Sequence, residues 1–334
     1  MLTSGKGVRY DGTLTVGGRP VQAHLRVTPA GLATGALTAG TLRADVVAVD
    51  GDTFIKAGTV FWRDYAGETR HPEYYAGRWS KAPAALPGFD VPGVLGPKHI
   101  AQTLTKTTAK TPTEKVNGVP AYRVKTPGAE YLVATAAPHR LLSVRPSGQN
   151  TAWFTAAPLA APATLFAELR PRVAKLGGAA DPWLLFRPGT LTFDNCDQNT
   201  NGCTVNVPAT LTTPSGSVPS GARAALWASI TSRGKALGSC RTSGPVPAAR
   251  SLALRCTVTS SQWRHWVRDA LDNPGSYPYQ ATAHVIGEAV GTADVSKLLA
   301  AVDRERRAVL KPKPKPSRSA PPPEVAQSAS PPTP

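Results

Sequence analysis

Alternation of apolar and polar residues in the first part of the chain constrains its fold more than any other feature. In residues 8–16, and again in residues 21–27, nearly every second side chain is apolar. A period of two residues is typical of a half-buried β-strand, whose successive side chains point to opposite faces. Turns rich in glycine and proline separate the segments, so we predict an antiparallel meander with tight connections.

The same pattern continues through the first half of the chain. An Asn117-Gly118 pair between two β-prone segments is a strong signal for a hairpin, because both residues tolerate positive φ. The further strands predicted here are residues 32–39, 42–49, 53–57, 113–116, 121–125, 130–134 and 140–144.

The second half carries a different mixture of elements. Residues 158–180 have apolar side chains at helical spacing, although Pro171 should break or bend that helix. We predict strands at 189–193, 204–211, 223–232, 251–258 and 278–290, a helix capped by Ser260 or Ser261, and a final helix from residue 292 or 293.

Together these patterns predict an α+β fold that is mainly antiparallel β. A charged fraction of only 18%, with 30 glycines and 33 prolines, favours turns and short strands over long helices. We predict a β-rich domain over 1–157, a helical linker over 158–182 and a small disulfide-bearing β-sandwich-like domain with appended helices over 183–303. A basic, proline-rich tail over 304–334 cannot bury a core and is expected to be disordered.

The cysteines indicate the compartment. All of them lie in the second half, and neither the spacing between them nor the histidines fit a zinc site. Of the three pairings that four cysteines allow, we favour Cys196–Cys203 and Cys240–Cys256, because each joins segments that can be neighbours across a hairpin or loop. Disulfides imply an oxidising compartment, and four buried thiols in a cytosolic protein are the alternative.

Several apolar residues are candidates for a ligand site. Residues 58–97 are the most aromatic part of the chain, and a short helix is predicted after them at 97–106. These aromatic side chains either pin loops onto the sheet or form the rim of an apolar cavity. The candidates for a cavity or its rim are Phe54, Phe61, Trp62, Tyr65, Trp79, Ile100 and Leu104.

Four segments of the first region form a recognisable set: residues 35–55 (GALTAGTLRADVVAVDGDTFI), 75–81 (YAGRWSK), Gly96-Pro97 before the predicted helix, and 115–124 (KVNGVPAYRV). Through them the first region shows a resemblance to the LppX and LprG type of actinobacterial lipoproteins. It covers about residues 8–146 and implies a LolA-like half-barrel, a curved antiparallel sheet over helices that encloses an apolar cavity for acyl chains. The chain departs from that family in having no lipobox cysteine and no N-terminal helix before its first strand.

Other function classes are disfavoured by the sequence. It has no H-E-x-x-H, G-x-S-x-G, P-loop or G-x-G-x-x-G motif, so we expect neither an enzyme nor a cofactor. The oxygen-rich segment 194–201 lacks the glycine and closing glutamate of an EF-hand, so we expect no metal there. The formal charge of +17 includes seven basic residues within 304–318, and the rest is scattered without the aromatic stackers of a nucleic-acid binder. Anionic membrane surfaces or wall polymers would attract such a chain.

We therefore expect an extracytoplasmic, non-enzymatic protein that binds a lipid or another hydrophobic molecule. The alternative is an envelope interaction or sensor module that binds a protein or wall polymer and no lipid. The disulfides suggest an envelope or secreted location, with a signal or membrane anchor upstream of Met1; the other reading is a cytoplasmic protein.

Overall fold

The computed structural model describes residues 5–16, 19–83, 90–106, 112–137, 139–147 and 153–311. Its strands in the first half are β1 (Val8–Val16), β2 (Arg19–Val27), β3 (Ala33–Ala39), β4 (Leu42–Val49), β5 (Asp52–Ala57), β6 (Trp79–Lys81), β7 (Thr113–Val116), β8 (Val119–Lys125), β9 (Ala129–Ala134), β10 (Leu141–Pro146) and β11 (Trp153–Pro158). The second half adds β12 (Ala179–Ala180), β13 (Leu185–Pro188), β14 (Thr192–Asp194), β15 (Cys203–Thr213), β16 (Arg223–Ser232), β17 (Lys235–Pro245), β18 (Ser251–Val258) and β19 (Gln280–Val290).

Helices connect and cover these strands. They are α1 (Thr59–Asp64), α2 (Pro97–Thr105), α3 (Pro162–Val173), α4 (Ser261–Asp272) and α5 (Val295–Leu310). A π-helical turn spans Val91–Leu95, and 3-10 turns span Pro72–Tyr74 and Thr292–Asp294. The α+β class with mainly antiparallel strands is confirmed.

One large sheet runs through both halves of the chain. Its order is β7-β8-β9-β10-β11-β1-β2-β3-β4-β5-β6-β12-β19-β16-β17, and a second sheet groups β13, β14 and β18 around β15. In the second half, β16, β17 and β19 face the smaller sheet across a shared apolar core, which confirms the predicted sandwich. The two-residue strand β12 pairs with β6 on one side and β19 on the other, so the predicted domains share a continuous sheet.

The first part of this sheet is strongly curved. The turn Val91–Leu95 contacts three well-separated strands: Tyr131 in β9, Tyr10 in β1 and Thr53 in β5. Seven strand spacings separate β9 from β5, about 34 Å in a flat sheet. A helical turn of five residues is only about 8 Å long, so even with the reach of the Tyr131 side chain the strands must bend around the turn. This part of the large open sheet therefore has a concave face of half-barrel form, as the family resemblance implies.

The close approach of β1 and β11 depends on a glycine. A Cβ built at Gly12 would lie 2.1 Å from the carbonyl oxygen of Trp153 and 2.8 Å from the Cα of Phe154. Both atoms belong to the backbone of the neighbouring strand, so a side chain at this position requires the strands to separate. The two strands can approach this closely because residue 12 has no Cβ.

We therefore expect Gly12→Ala to lower the free energy of unfolding by about 1–3 kcal/mol, the usual cost of forcing atoms into a filled space. Urea denaturation followed by circular dichroism measures the change. Gly128→Ala is the matched control, because a Cβ there meets nothing within 4 Å and the backbone does not have positive φ. Equal stability of the two variants would contradict this account of the strand contact.

Helices α3 and α5 cover the convex face, which corrects two predicted boundaries. Segment 158–182 is not a free linker, because Leu169 and its apolar neighbours on α3 are buried against β4 and β5. Pro171 lies in the last turn, where the helix continues to Val173. The predicted tail begins too early at 304, since α5 extends to Leu310 and Val309 packs on the same core; residues 312–334 lie outside the described residues.

Local signals were the most reliable guide to the elements. Asn117 and Gly118 have φ of 49° and 81°, as the predicted hairpin requires. Ser260 caps α4 by accepting a hydrogen bond from the amide of Trp263 at 3.0 Å. The strand predicted at 189–193 is wrong: β13 ends at Pro188, which has no amide donor, and β14 begins only at Thr192.

Candidate functional site

The concave face of the curved sheet holds the candidate site. Apolar side chains from β1 to β5 and from β9 to β11 line it, and α1, the Val91–Leu95 turn and α2 cover it. We call these three covering segments the inner layer. The inner layer contributes Phe61, Trp62, Val91, Val94, Leu95 and Ile100 to one continuous core with the sheet.

Two tyrosines hold the turn of the inner layer. The hydroxyl of Tyr10 donates to the carbonyl oxygen of Leu95 at 2.8 Å, and that of Tyr131 donates to Val94 at 3.3 Å. Burial raises the pKa of both hydroxyls, that of Tyr131 to about 12, and the neighbouring Tyr131 further raises that of Tyr10. Both therefore remain protonated donors. Asp90 closes the turn by accepting from the amide of Gly93 at 3.0 Å.

Five of the seven predicted cavity residues meet in this interior. Phe61, Trp62 and Ile100 are 1%, 0% and 0% exposed, and Tyr65 and Leu104 are half-buried against the same core. Trp62 packs on Tyr75 with 5.2 Å between ring centroids, and Phe61 stacks on Tyr65 at 5.4 Å. These side chains fill the interior and do not form an open rim.

Phe54 and Trp79 do not belong to this group, which corrects the prediction. Both pack on the opposite, convex face, in the core formed with α3 and α5. Residue 55, not residue 54, points into the half-barrel, because successive side chains of β5 alternate between the faces. Phe54 instead lines an outer groove of about 570 Å³ beside β12, together with charged residues such as Lys81 and Asp181.

Two polar atoms stand out in the apolar interior. The indole nitrogen Nε1 of Trp62 and the hydroxyl Oγ of Ser80 are buried and have no hydrogen-bond partner among the described residues. Ser80 pairs across the sheet with Ile55 and Ala180, both of which belong to the concave core. A buried donor without a partner costs about 1–3 kcal/mol, so each is a place where an additional acceptor would be stabilising.

Sequence reasoning missed the π-helical turn, both anchoring tyrosines and Ser80. Tyr10 and Tyr131 carried a usable signal, since each lies on the apolar face of a predicted strand and a buried tyrosine needs a partner for its hydroxyl. No sequence signal indicates the position of Ser80, because β6 is only three residues long and pairs with a strand that is distant in the sequence.

The predicted disulfides are confirmed in the second half. Cys196 is bonded to Cys203 and Cys240 to Cys256, with S–S distances of 2.03 and 2.10 Å. They support an oxidising, extracytoplasmic environment. Within the described residues, no helix combines the length and the apolar character that a membrane span needs.

The oxygen-rich loop between Cys196 and Cys203 is organised by hydrogen bonds within the protein. Asn199 donates to the carbonyl of Asn195 at 2.8 Å, and Asp197 accepts from Tyr279 at 3.3 Å. Asp194, just before the loop, pairs with Arg255 at 2.9 Å. In the described part of the chain, no group of three or more His, Cys, Asp or Glu side chains is arranged to hold a metal ion.

Comparison with protein-family models finds no match to this chain, and comparison with curated proteins finds none that is significantly similar.

Proposed function

We propose that the protein is a non-enzymatic binding protein of the cell envelope, and that it binds a lipid or another hydrophobic ligand between the concave face of the sheet and the inner layer. The LppX- and LprG-type resemblance of residues 8–146 is part of this proposal. The ligand is an apolar chain that carries at least one oxygen acceptor, and no cofactor takes part.

The observation that carries the proposal is the pair of unpartnered polar atoms, Trp62 Nε1 and Ser80 Oγ, inside an apolar core. An ester or carboxyl oxygen of a bound lipid would satisfy one or both. An acyl chain that replaces side chains of the inner layer gains about 0.8 kcal/mol for each buried CH₂ group. The inner layer is the part that must move, since it packs against the sheet without contributing strands.

A second candidate is an envelope interaction or sensor module that binds a protein or wall polymer and no lipid. One observation favours it: Phe61, Trp62 and Ile100 fill the half-barrel with the protein's own side chains. In that case the inner layer is a permanent core, and the polar atoms bind internal water.

Native mass spectrometry and titration with a fluorescent acyl probe distinguish the two. The protein is purified from a host compartment that forms its disulfides. We expect a co-purified lipid mass and saturable probe binding, and Trp62→Phe should weaken binding by roughly 5- to 30-fold through loss of one hydrogen bond. Trp153→Phe is the control, because that indole is 47% exposed.

Thermal unfolding of both variants shows whether the core is intact. A ligand-free mass together with no probe binding by the folded wild-type protein would rule out the lipid proposal and leave the interaction module. If Trp62→Phe binds the probe as tightly as the wild-type protein, lipid binding is retained as the function, but Trp62 does not donate a hydrogen bond to the ligand.

A further inference from the structure

A row of polar and aromatic side chains crosses the end of the large sheet. Arg241 on β17, Trp227 on β16 and His284 on β19 are direct cross-strand neighbours and lie on the same face. Such neighbours have Cβ atoms about 5 Å apart. This face is opposite to the one that packs in the sandwich core, so it is open to ligands at the position of the exposed Arg241.

The segment after α1 covers this row from above. The guanidinium carbon of Arg78 lies 3.7 Å from the ring centroid of Trp227, and the hydroxyl of Tyr74 lies 2.6 Å from Nδ1 of His284. We call Arg78, Trp227, Arg241 and His284 the arginine–tryptophan platform. Stacking on an aromatic ring fixes the plane of a guanidinium while leaving its N–H edge available.

The charges of the platform are not compensated. Within the described ranges, neither Arg78 nor Arg241 forms an ion pair, and the Nε of Arg78 is buried without a hydrogen-bond partner. Burial and, to a smaller extent, Arg241 lower the pKa of Arg78, which shows that the two cations are close enough to repel each other.

Another arginine on this face of the sheet has its charge neutralised by an acidic side chain. Arg223, which is on β16 like Trp227, pairs with the buried Glu288 at 2.8 Å. A partly buried arginine with no acid, beside a second one, is therefore a departure within this sheet. Its electrostatic cost is removed when an anion binds between the two guanidinium groups.

The histidine contributes a third donor. Burial raises the pKa of Tyr74, so its hydroxyl stays protonated, while burial and His71 lower the pKa of His284 against the opposing effect of Glu73. A neutral imidazole that accepts the Tyr74 hydrogen bond at Nδ1 carries its ring proton on Nε2, where it can donate to a ligand.

We propose that the arginine–tryptophan platform binds a phosphoryl group. Two guanidinium groups and an imidazole N–H offer more hydrogen-bond donors than the two oxygens of a carboxylate can use. A phosphate ester has more acceptor oxygens and matches these donors better. Hydroxyl groups of Ser229 and Thr282, which are 2.8 Å apart in the adjacent row, provide further polar contacts. The inference does not depend on lipid binding in the half-barrel.

Isothermal titration calorimetry in phosphate-free buffer tests the site with inorganic phosphate and with glycerophosphoglycerol, a soluble phosphodiester. We expect saturable binding, weakened roughly tenfold or more by Arg241→Gln and by Arg78→Gln. Arg264→Gln is the charge-matched control, because Arg264 is exposed on α4, away from the platform. Circular dichroism of each variant shows whether it is folded. Because Arg241 is exposed, we expect Arg241→Gln to keep the fold even if Arg78→Gln does not.

Vesicle co-sedimentation with phosphatidylglycerol, compared with phosphatidylcholine, identifies the source of the phosphoryl group. Binding of the soluble diester assigns it to a soluble molecule or wall polymer. Binding only to phosphatidylglycerol vesicles, lost in Arg241→Gln, assigns it to a lipid headgroup. No phosphate-dependent binding to any probe, or an equal loss in Arg264→Gln, overturns the proposal.

Discussion

Replacement of Trp263 by alanine is expected to lower the free energy of unfolding by about 3–5 kcal/mol, the range for removing a large aromatic side chain from a core. Trp263 is fully buried between α4 and the sandwich, with the rings of Trp266 and Tyr279 at 5.2 and 5.8 Å. Its indole nitrogen also donates to the carbonyl of Asn199 at 3.0 Å, so the substitution releases the disulfide-closed loop as well.

Urea denaturation monitored by far-UV circular dichroism measures this effect, with Trp183→Ala as the matched control. Trp183 is 55% exposed, and we expect its removal to cost less than about 1 kcal/mol. Comparable losses in the two variants would show that α4 is not packed as described. A change in the slope of the transition for Trp263→Ala alone would indicate that the sandwich unfolds separately from the half-barrel.

The elements that could be predicted from the sequence are those with a strong local signal. Strands β1, β4, β16 and β18 begin and end where the sequence pattern predicts, because each has at least eight residues, enough to show several periods. The cap of α4 by Ser260 and the hairpin at Asn117 depend only on neighbouring residues. These features are determined by local stereochemistry, which a single sequence displays directly.

The elements that were missed depend on distant contacts. Strand β17 is at the edge of the large sheet and mostly exposed, so it shows little apolar alternation. Strands β6 and β12 have three and two residues, too few for a period, yet they join the two halves of the chain.

The candidate site was predicted only in part, for a related reason. The high aromatic content of residues 58–97 indicated the segment that forms most of the inner layer. It does not predict on which face of the sheet each side chain lies. Ile55 continues the face of Val46 into the half-barrel, whereas Phe54 and Trp79 point to the helices outside. The platform residues Arg78 and Trp227 are far apart in sequence, and only the pairing of β6, β12 and β19 brings them together.

The pairing of the cysteines followed from spacing, and the structure shows that the two disulfides differ in what they join. Cys196 and Cys203 are 7 residues apart and close a loop within the smaller sheet. Cys240 on β17 and Cys256 on β18 are 16 residues apart and connect the two sheets of the sandwich. The second disulfide therefore holds the edge strand of the large sheet to the opposite layer.

We expect the double variant Cys240→Ala/Cys256→Ala to lose about 3 kcal/mol of unfolding free energy, because the loop it frees in the unfolded chain is the longer one. The double variant Cys196→Ala/Cys203→Ala should lose roughly 2.5 kcal/mol on the same basis. Removing both cysteines of a pair leaves no free thiol, and urea titration of each variant measures the loss. A larger loss for the shorter loop would mean that native contacts around Cys196, not chain entropy, determine what the disulfides contribute.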